Sequence, residues 1–324
     1  MGQNNQQSST PVIALSGGVG GAKLALGLSK ILQPDELTVV ANTADDFEHL
    51  GLPISPDIDT LMYTLAGRNN TAQGWGLAGE SWNAMQMLQD YGADTWFQLG
   101  DRDLVTHLLR RQLLDEGNNL TQVTRYLCQK MGVEHPILPM SNDKVSTRVY
   151  TQSGELSFQH YFVRERCEPV VTGFGFAGIE SAVAQPDFIG LLASSALQAV
   201  IICPSNPFVS VRPMLELSGV SAALKACNAP VIAVSPIVAG EAIKGPTAKM
   251  LRELNMPCTV LSIAEYYKEL IDGLIIDKAD AHQATEIEKL GIAVEVAPTV
   301  MRSLQDRVNL ANISLNFANR VSQQ

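Results

Sequence analysis

Cysteine and histidine are scarce in this chain, five of each among 324 residues. Cys128, Cys167, Cys203, Cys227 and Cys258 are widely spread and form no CxxC pair, which argues against a disulfide framework or a structural zinc site. The histidines show no HxxxH or HExxH spacing. Basic residues are also in deficit, 23 Lys and Arg against 33 Asp and Glu, for a net charge of −10. A broad electrostatic grip on nucleic acid or on an anionic membrane needs the opposite balance. A small anionic ligand is still admitted, because it needs only a few local donors. Long apolar runs are missing: the longest stretch, Phe188 to Cys203, is broken by Ser194, Ser195 and Gln198 and is too short and polar to span a bilayer. The opening segment MGQNNQQSST has no apolar h-region, and Gln6 stands where a myristoylation signal has Ser or Thr. A soluble, cytoplasmic protein is expected.

What is present is 46% hydrophobic residues against 17% charged, enough apolar side chain for a large core and too much for global disorder. The length corresponds to about two domains. Short Val- and Ile-rich runs alternate with amphipathic stretches, as in βα units, and uninterrupted apolar runs suit parallel strands covered on both faces. Strands are expected at Pro11–Leu15, Leu37–Ala41, Ala199–Cys203, Val231–Ser235, Thr259–Ser262, Leu274–Asp277 and Ala293–Val296, with a first helix from about Ala22 to Leu32. Between them, residues 67–170 read as mainly helical with one hairpin around Ser153-Gly154. There, Leu104, Leu108, Val105, Leu109 and Leu113 predict the apolar stripe of an amphipathic helix over 103–115. The expected fold class is therefore α/β: a Rossmann-like, mostly parallel sheet with helices on both faces and a mainly helical insertion. Residues 1–66 and 171–324 form the nucleotide-binding core, and 67–170 are inserted to bind the second substrate.

Six constellations carry possible chemistry. Ser16-Gly17-Gly18-Val19-Gly20-Gly21-Ala22-Lys23 lies between the first strand and first helix. Glycines there let backbone N–H groups approach a phosphate at the positive end of a helix. The loop is neither a Walker A sequence, since Leu24 follows Lys23, nor a dinucleotide fingerprint, whose third small residue would fall on Lys23. Asn42-Thr43-Ala44-Asp45-Asp46 follows the second strand, where adjacent acids can hold a ribose, serve a divalent cation, or simply shape a turn. In Ser55-Pro56-Asp57-Ile58-Asp59-Thr60, two acids two apart point to the same side if the lead-in is extended. Asp59 is then the candidate metal ligand or base, and Asp57 the better placed to cap the helix. Leu99-Gly100-Asp101-Arg102-Asp103 offers Arg102 either as a solvated surface pair or as a donor fork for a ligand oxygen. Pro204-Ser205-Asn206-Pro207-Phe208, followed by Ser210, is a rigid turn after a strand, suited to a base or phosphate. A second such loop runs from Ser235-Pro236 through Lys244 to Pro246 and Lys249, where Lys249 is a plausible anion contact one turn into a helix.

Taken in order, SGGVGGAKL (16–24), LTVVANTADD (37–46), ISPDIDT (54–60), LGDRD (99–103), ILPMSND (137–143), PSNPF (204–208), VSPI (234–237), GPTAKML (245–251) and AEYY (264–267) resemble the family of 2-phospho-L-lactate transferases of deazaflavin coenzyme F-420 biosynthesis. The resemblance spans residues 16–267; the first loop departs from it at Gly21-Ala22-Lys23, where other members often have Thr and Pro nearby. It implies a Mg²⁺-dependent transferase that joins a deazaflavin alcohol to a phospholactyl or phosphoenolpyruvyl group carried on a guanosine diphosphate, releasing GMP. By matching motif it implies that Gly17, Gly18, Gly20, Gly21, Lys23 and Lys249 contact phosphate, and that Asn42, Ser205, Asn206 and Pro207 surround the guanosine. Asp59 and Arg102 would be catalytic, touching the acceptor or the reacting phosphate, and Asp45 and Asp59 would hold the magnesium. A homodimer is the family-level expectation. The tryptophans of the insertion, Trp75, Trp82 and Trp96, offer either a stacking wall for a tricyclic acceptor or ordinary core packing. The rival reading is a non-catalytic regulatory protein of related fold that binds UDP-sugars and shares the glycine loop and the Asp pair; LGDRD and PSNPF are the features that set the transferases apart.

Overall fold

Four consecutive residues of the first strand, Val12 to Leu15, have no solvent exposure at all. Val12, Ile13 and Leu15 each contribute roughly 1.5–3 kcal/mol when fully buried, and burial on alternate sides requires layers on both faces of the sheet. The computed structural model, which describes residues 10–243 and 245–323, provides both layers. The expectations for the N-terminal residues 1–9, and for Lys244, lie outside the described residues.

Seven parallel strands form the sheet: β1 (Val12–Ser16), β2 (Leu37–Ala41), β3 (Ile137–Pro139), β4 (Ala199–Ile202), β5 (Val231–Val234), β6 (Gly273–Ile276) and β7 (Ala293–Val296). Their spatial order is β7-β6-β5-β4-β1-β2-β3. The chain builds outward from β1 through β2 to β3, then returns to the other side of β1 and builds outward again. The junction between β1 and β4 is therefore the topological switch point, where open α/β sheets leave a crevice beyond the carboxyl ends of their strands.

One face of the sheet carries Val12, Ala14, Val39 and Ile201 against α1 (Gly18–Ser29), α2 (Pro56–Leu65) and the C-terminal helix Leu304–Val321. The other carries Ile13, Leu15, Val200 and Ala233 against Phe188, Met214, Leu251, Ile263 and an antiparallel three-stranded sheet. Between β2 and β3 lie α3 (Asn83–Asp90), α4 (Asp101–Asp115) and α5 (Leu120–Met131). A small separate cluster of Ile54, Met85 and Leu99 anchors this region beside the main core.

The α/β expectation holds, with three local differences. The segment 67–170 gives the core sheet its edge strand β3; its first part, ending with α5, is helical, and the rest is strands with one short helical turn at His160–Arg164. Thr259–Ser262, expected as a strand, begins the helix Val260–Tyr267: the Thr259 hydroxyl accepts the Ser262 N–H at 3.1 Å, an N-cap that outweighs the β-branched composition. On α4 the apolar stripe is only partly inward: Leu104, Leu109 and Leu113 pack half-buried against the cores, but the fully buried positions are polar. Val105 is 60% and Leu108 52% exposed, whereas Asp103, Thr106, His107 and Arg110 are buried.

Candidate active site

The glycine loop and the Pro204 turn meet at the switch point. The Gly17 N–H donates to Ser205 Oγ at 3.1 Å, and that hydroxyl donates to the Gly17 carbonyl at 2.8 Å, so one side chain ties both loops together. Gly18 has φ +64, a conformation that favours glycine. A Cβ on Gly20 would strike the Pro204 carbonyl oxygen, so the close approach of the two loops demands glycine there as well. Helix α1 starts at Gly18, four residues earlier than its apolar pattern suggests, which brings its first-turn amides to the crevice.

Carboxylates face this loop. Asp57 Oδ1 accepts the Gly18 N–H at 2.6 Å and its Oδ2 accepts Asn42 Nδ2 at 3.0 Å. The same Asn42 amide donates to Asp45 Oδ2 at 3.1 Å, and Asn42 Oδ1 accepts the Ala44 N–H, which fixes the amide's orientation. Burial pushes Asp57 up to about 6, against the lowering effect of the Asn42 and Gly18 hydrogen bonds. Burial, and next the neighbouring Asp57 charge, push Asp45 well above the usual carboxylate range. Asp45 Oδ1 is buried without a hydrogen bond of ordinary geometry among the described residues, and the Thr147 hydroxyl partly counters the rise.

These groups line one cavity of about 580 Å³. Gly17, Gly18, Gly20, Lys23, Asp45, Asp57, Ser205, Asn206 and Ser210 form its polar side, and Trp75, Trp96, Phe97, Phe158 and Phe162 an aromatic side. Trp96 packs edge-on against His160, with ring centroids 4.8 Å apart, and Trp75 against Trp82 at 6.0 Å. Lys23 Nζ donates to the Met301 carbonyl at 3.1 Å on the cavity rim.

Of the residues singled out from sequence, Gly17, Gly18, Gly20, Lys23, Asp45, Ser205 and Asn206 are thus brought together. Gly21 packs behind the loop against the Ser16 and Ser205 hydroxyls, and Asn42 stands behind the two carboxylates. Asn206 Oδ1 accepts the Phe208 N–H at 2.9 Å, and Pro207 is buried in the turn that follows.

Asp59, Arg102 and Lys249 do not line the cavity. Asp59 is held by a two-pronged ion pair with Arg110, a residue 1% exposed. Arg110 Nη1 also reaches His107 Nδ1 at 3.0 Å; arginine only donates, so that nitrogen accepts and Nε2 carries the proton toward Asp103 at 3.2 Å. Tyr63 donates to the same Asp103 oxygen at 2.6 Å. The structure therefore does not join Asp45 with Asp59; it joins Asp45 with Asp57. Nor does Asp57 cap its own helix, whose N-cap is Ser55; its carboxylate meets the start of α1 instead. Arg102 Nη1 donates to the Ala78 carbonyl at 3.0 Å, bracing the segment that carries Trp75. Lys249 is taken by Glu253 at 2.5 Å and by the Pro169 carbonyl at 2.9 Å. Gln159, buried in the cavity wall with its amide on the Asp45 carbonyl, carried no signal in the sequence.

Among the described residues no group of three or more His, Cys, Asp or Glu is arranged to hold a metal ion, and no helix is long and apolar enough to cross a membrane. Two buried carboxylates on one amide, one with an oxygen lacking a hydrogen bond of ordinary geometry, nevertheless fit Mg²⁺. That ion typically takes one or two protein carboxylates and completes its shell with water and substrate phosphate.

Fold and site together define a doubly wound α/β protein with a glycine-rich helix start and two carboxyl groups opposite an aromatic wall. The profile of the family described as 2-phospho-L-lactate transferase CofD matches residues 12–311, and the chain belongs to that family of transferases. It is 37% identical to a phosphoenolpyruvate transferase of Kitasatospora aureofaciens, over 96% of this chain and 98% of that one. It is 35% identical to a 2-phospho-L-lactate transferase of Methanosarcina mazei, over 93% and 98% respectively. A crystal structure of a UPF0052-family protein from Bacillus halodurans matches with a TM-score of 0.63 at 13% identity, covering 95% of this chain and 99% of that one, which establishes a common fold.

Proposed function

We propose that this chain moves a phospholactyl or phosphoenolpyruvyl group from a guanosine diphosphate-linked donor to the ribityl hydroxyl of 7,8-didemethyl-8-hydroxy-5-deazariboflavin, releasing GMP. The observation that carries this reading is a single cavity in which the glycine loop and two carboxylates face an aromatic wall. Attack of the hydroxyl oxygen on the distal phosphorus forms one P–O bond and breaks the bond to the GMP phosphate, and the hydroxyl proton passes to the departing GMP or to water.

Such a transfer asks the protein for in-line placement and charge neutralisation more than for covalent chemistry. The first-turn amides of α1 and Lys23 supply donors to the diphosphate. Ser205 keeps the loop closed on the β4 side, and Asn206 orders the turn beside the nucleoside. Trp75 and Trp96 stack against the tricyclic ring and exclude water from the attacking hydroxyl. Asp45 and Asp57 would hold Mg²⁺, which, when bound, neutralises charge developing on the transferred phosphate. Asp59 acts at a distance, through the Arg110 pair that seats α2, and Arg102 through the Trp75 segment. The homodimer implied by the family likeness is part of the same proposal and is read by light scattering.

The test is mass spectrometry of the product formed from deazaflavin, GTP and each candidate three-carbon acid, with a donor-activating enzyme present. A phosphodiester-linked acid on the deazaflavin, lost when Mg²⁺ is chelated, is expected. Stabilisation in thermal shift by UDP-N-acetylglucosamine but not by GDP would instead favour the regulatory reading and overturn this one.

A further inference from the structure

We propose that Asp57 makes the phosphate seat selective, admitting a diphosphate that arrives with a divalent cation and rejecting the bare anion. The Gly18 N–H, at the head of α1, is an amide that a bound phosphate would use, and here it donates to Asp57 Oδ1 at 2.6 Å. The neighbouring Gly17 N–H is already turned to Ser205 Oγ. A carboxylate thus occupies an anion's place at the positive end of a helix.

Asp57 is held there from two sides. Its Oδ2 accepts from Asn42, whose orientation is locked by the Ala44 N–H, and its backbone belongs to the first turn of α2, which the buried Asp59–Arg110 pair anchors to α4. Asp45, on the same Asn42 amide, adds a second carboxyl group to the cavity wall. A free diphosphate must therefore compete for an amide already taken and do so beside two acids in a poorly hydrated setting. With a cation the sign reverses. The ion gives Asp45 Oδ1, which is buried without a hydrogen bond of ordinary geometry, and Asp57 something to bind, and a turn of the Asp57 side chain releases the Gly18 amide to the phosphate. Asp57 is then a specificity-determining residue, and cation and diphosphate each raise the affinity of the other.

This role rests on the nucleotide reading above, and the experiment separates the two. GDP is titrated calorimetrically into wild-type protein and Asp57→Ala, each in EDTA and in Mg²⁺. Wild type should bind GDP about tenfold or more tightly with Mg²⁺ than in EDTA. Asp57→Ala in EDTA should bind about tenfold or more tightly than wild type in EDTA and should lose most of the Mg²⁺ effect. Asp57→Asn, which keeps the shape and an acceptor for Gly18 but drops the charge, should move the same way and serves if the alanine variant folds poorly. Wild-type binding in Mg²⁺ with no gain in EDTA for either variant overturns the role of Asp57 alone. Wild-type protein that ignores GDP even with Mg²⁺ overturns the nucleotide reading and this role with it.

Discussion

Replacing Arg110 by Met should destabilise the protein far more than loss of an ordinary ion pair. Met retains much of the volume of a side chain that is 1% exposed, so the packing loss is small and the electrostatic loss dominates. The change strips Asp59 of both guanidinium contacts, and it deprives the Pro53 carbonyl and His107 Nδ1 of a donor at 3.3 and 3.0 Å. Breaking a buried pair from one side leaves an uncompensated charge and costs about 3–5 kcal/mol, against roughly 0–1 kcal/mol for a surface pair. At a few degrees per kcal/mol, the melting temperature should fall by on the order of 10 °C. Urea unfolding of wild type, Arg110→Met, Asp59→Asn and the double variant closes a cycle. The double variant should lose less than the two single losses together, because no charge is left stranded. A single-variant loss below about 1 kcal/mol, or strictly additive losses, would refute the view that Asp59 is spent on Arg110.

Three further outcomes follow from the cavity. Asp57 is raised from 3.8 to about 6 in the fold, so the folded state keeps a proton that the unfolded chain releases; stability should fall as pH rises from about 4 through about 6, by roughly 3 kcal/mol at most. Asp57→Asn should reduce that slope in the ligand-free protein and be the more stable at neutral pH, and superimposable pH profiles in urea unfolding would contradict this. Gly20→Ala should cost about 1–3 kcal/mol and weaken GDP binding, since the new Cβ meets the Pro204 carbonyl oxygen; calorimetric titration checks it. Trp75→Ala should raise the acceptor KM roughly threefold to tenfold, the equivalent of one lost aromatic contact, and leave the donor KM in place; steady-state kinetics with each substrate varied separates the two.

Much of this architecture was legible along the chain because it depends on local chemistry. The Val- and Ile-rich runs at 12–16, 37–41 and 199–202 can be buried on both faces only within a covered parallel sheet. Glycines directly after the first of them mark a close backbone approach whatever else the fold does. The motifs after β1, β2 and β4 converge because parallel strands place their carboxyl ends along one edge of the sheet.

Orientation was a different matter. Asp57 and Asp59 are two apart, and the expected extended lead-in would have set them on one side. Both fall in the first turn of α2, where two positions differ by about 200° of rotation, so one faces the Gly18 amide and the other faces Arg110. Which acid faces which way is decided by how α2 packs against α1 and α4, not by the two residues. The buried polar face of α4 has the same origin: Asp103, His107 and Arg110 are stable inside because Tyr63 and Asp59, about forty and fifty positions earlier, supply their partners. Sequence by itself determined six of the seven strands of the sheet, the glycine loop and the family. Tertiary packing alone decided which carboxylates share the cavity, because the partners that make a buried charge tolerable come from distant parts of the chain.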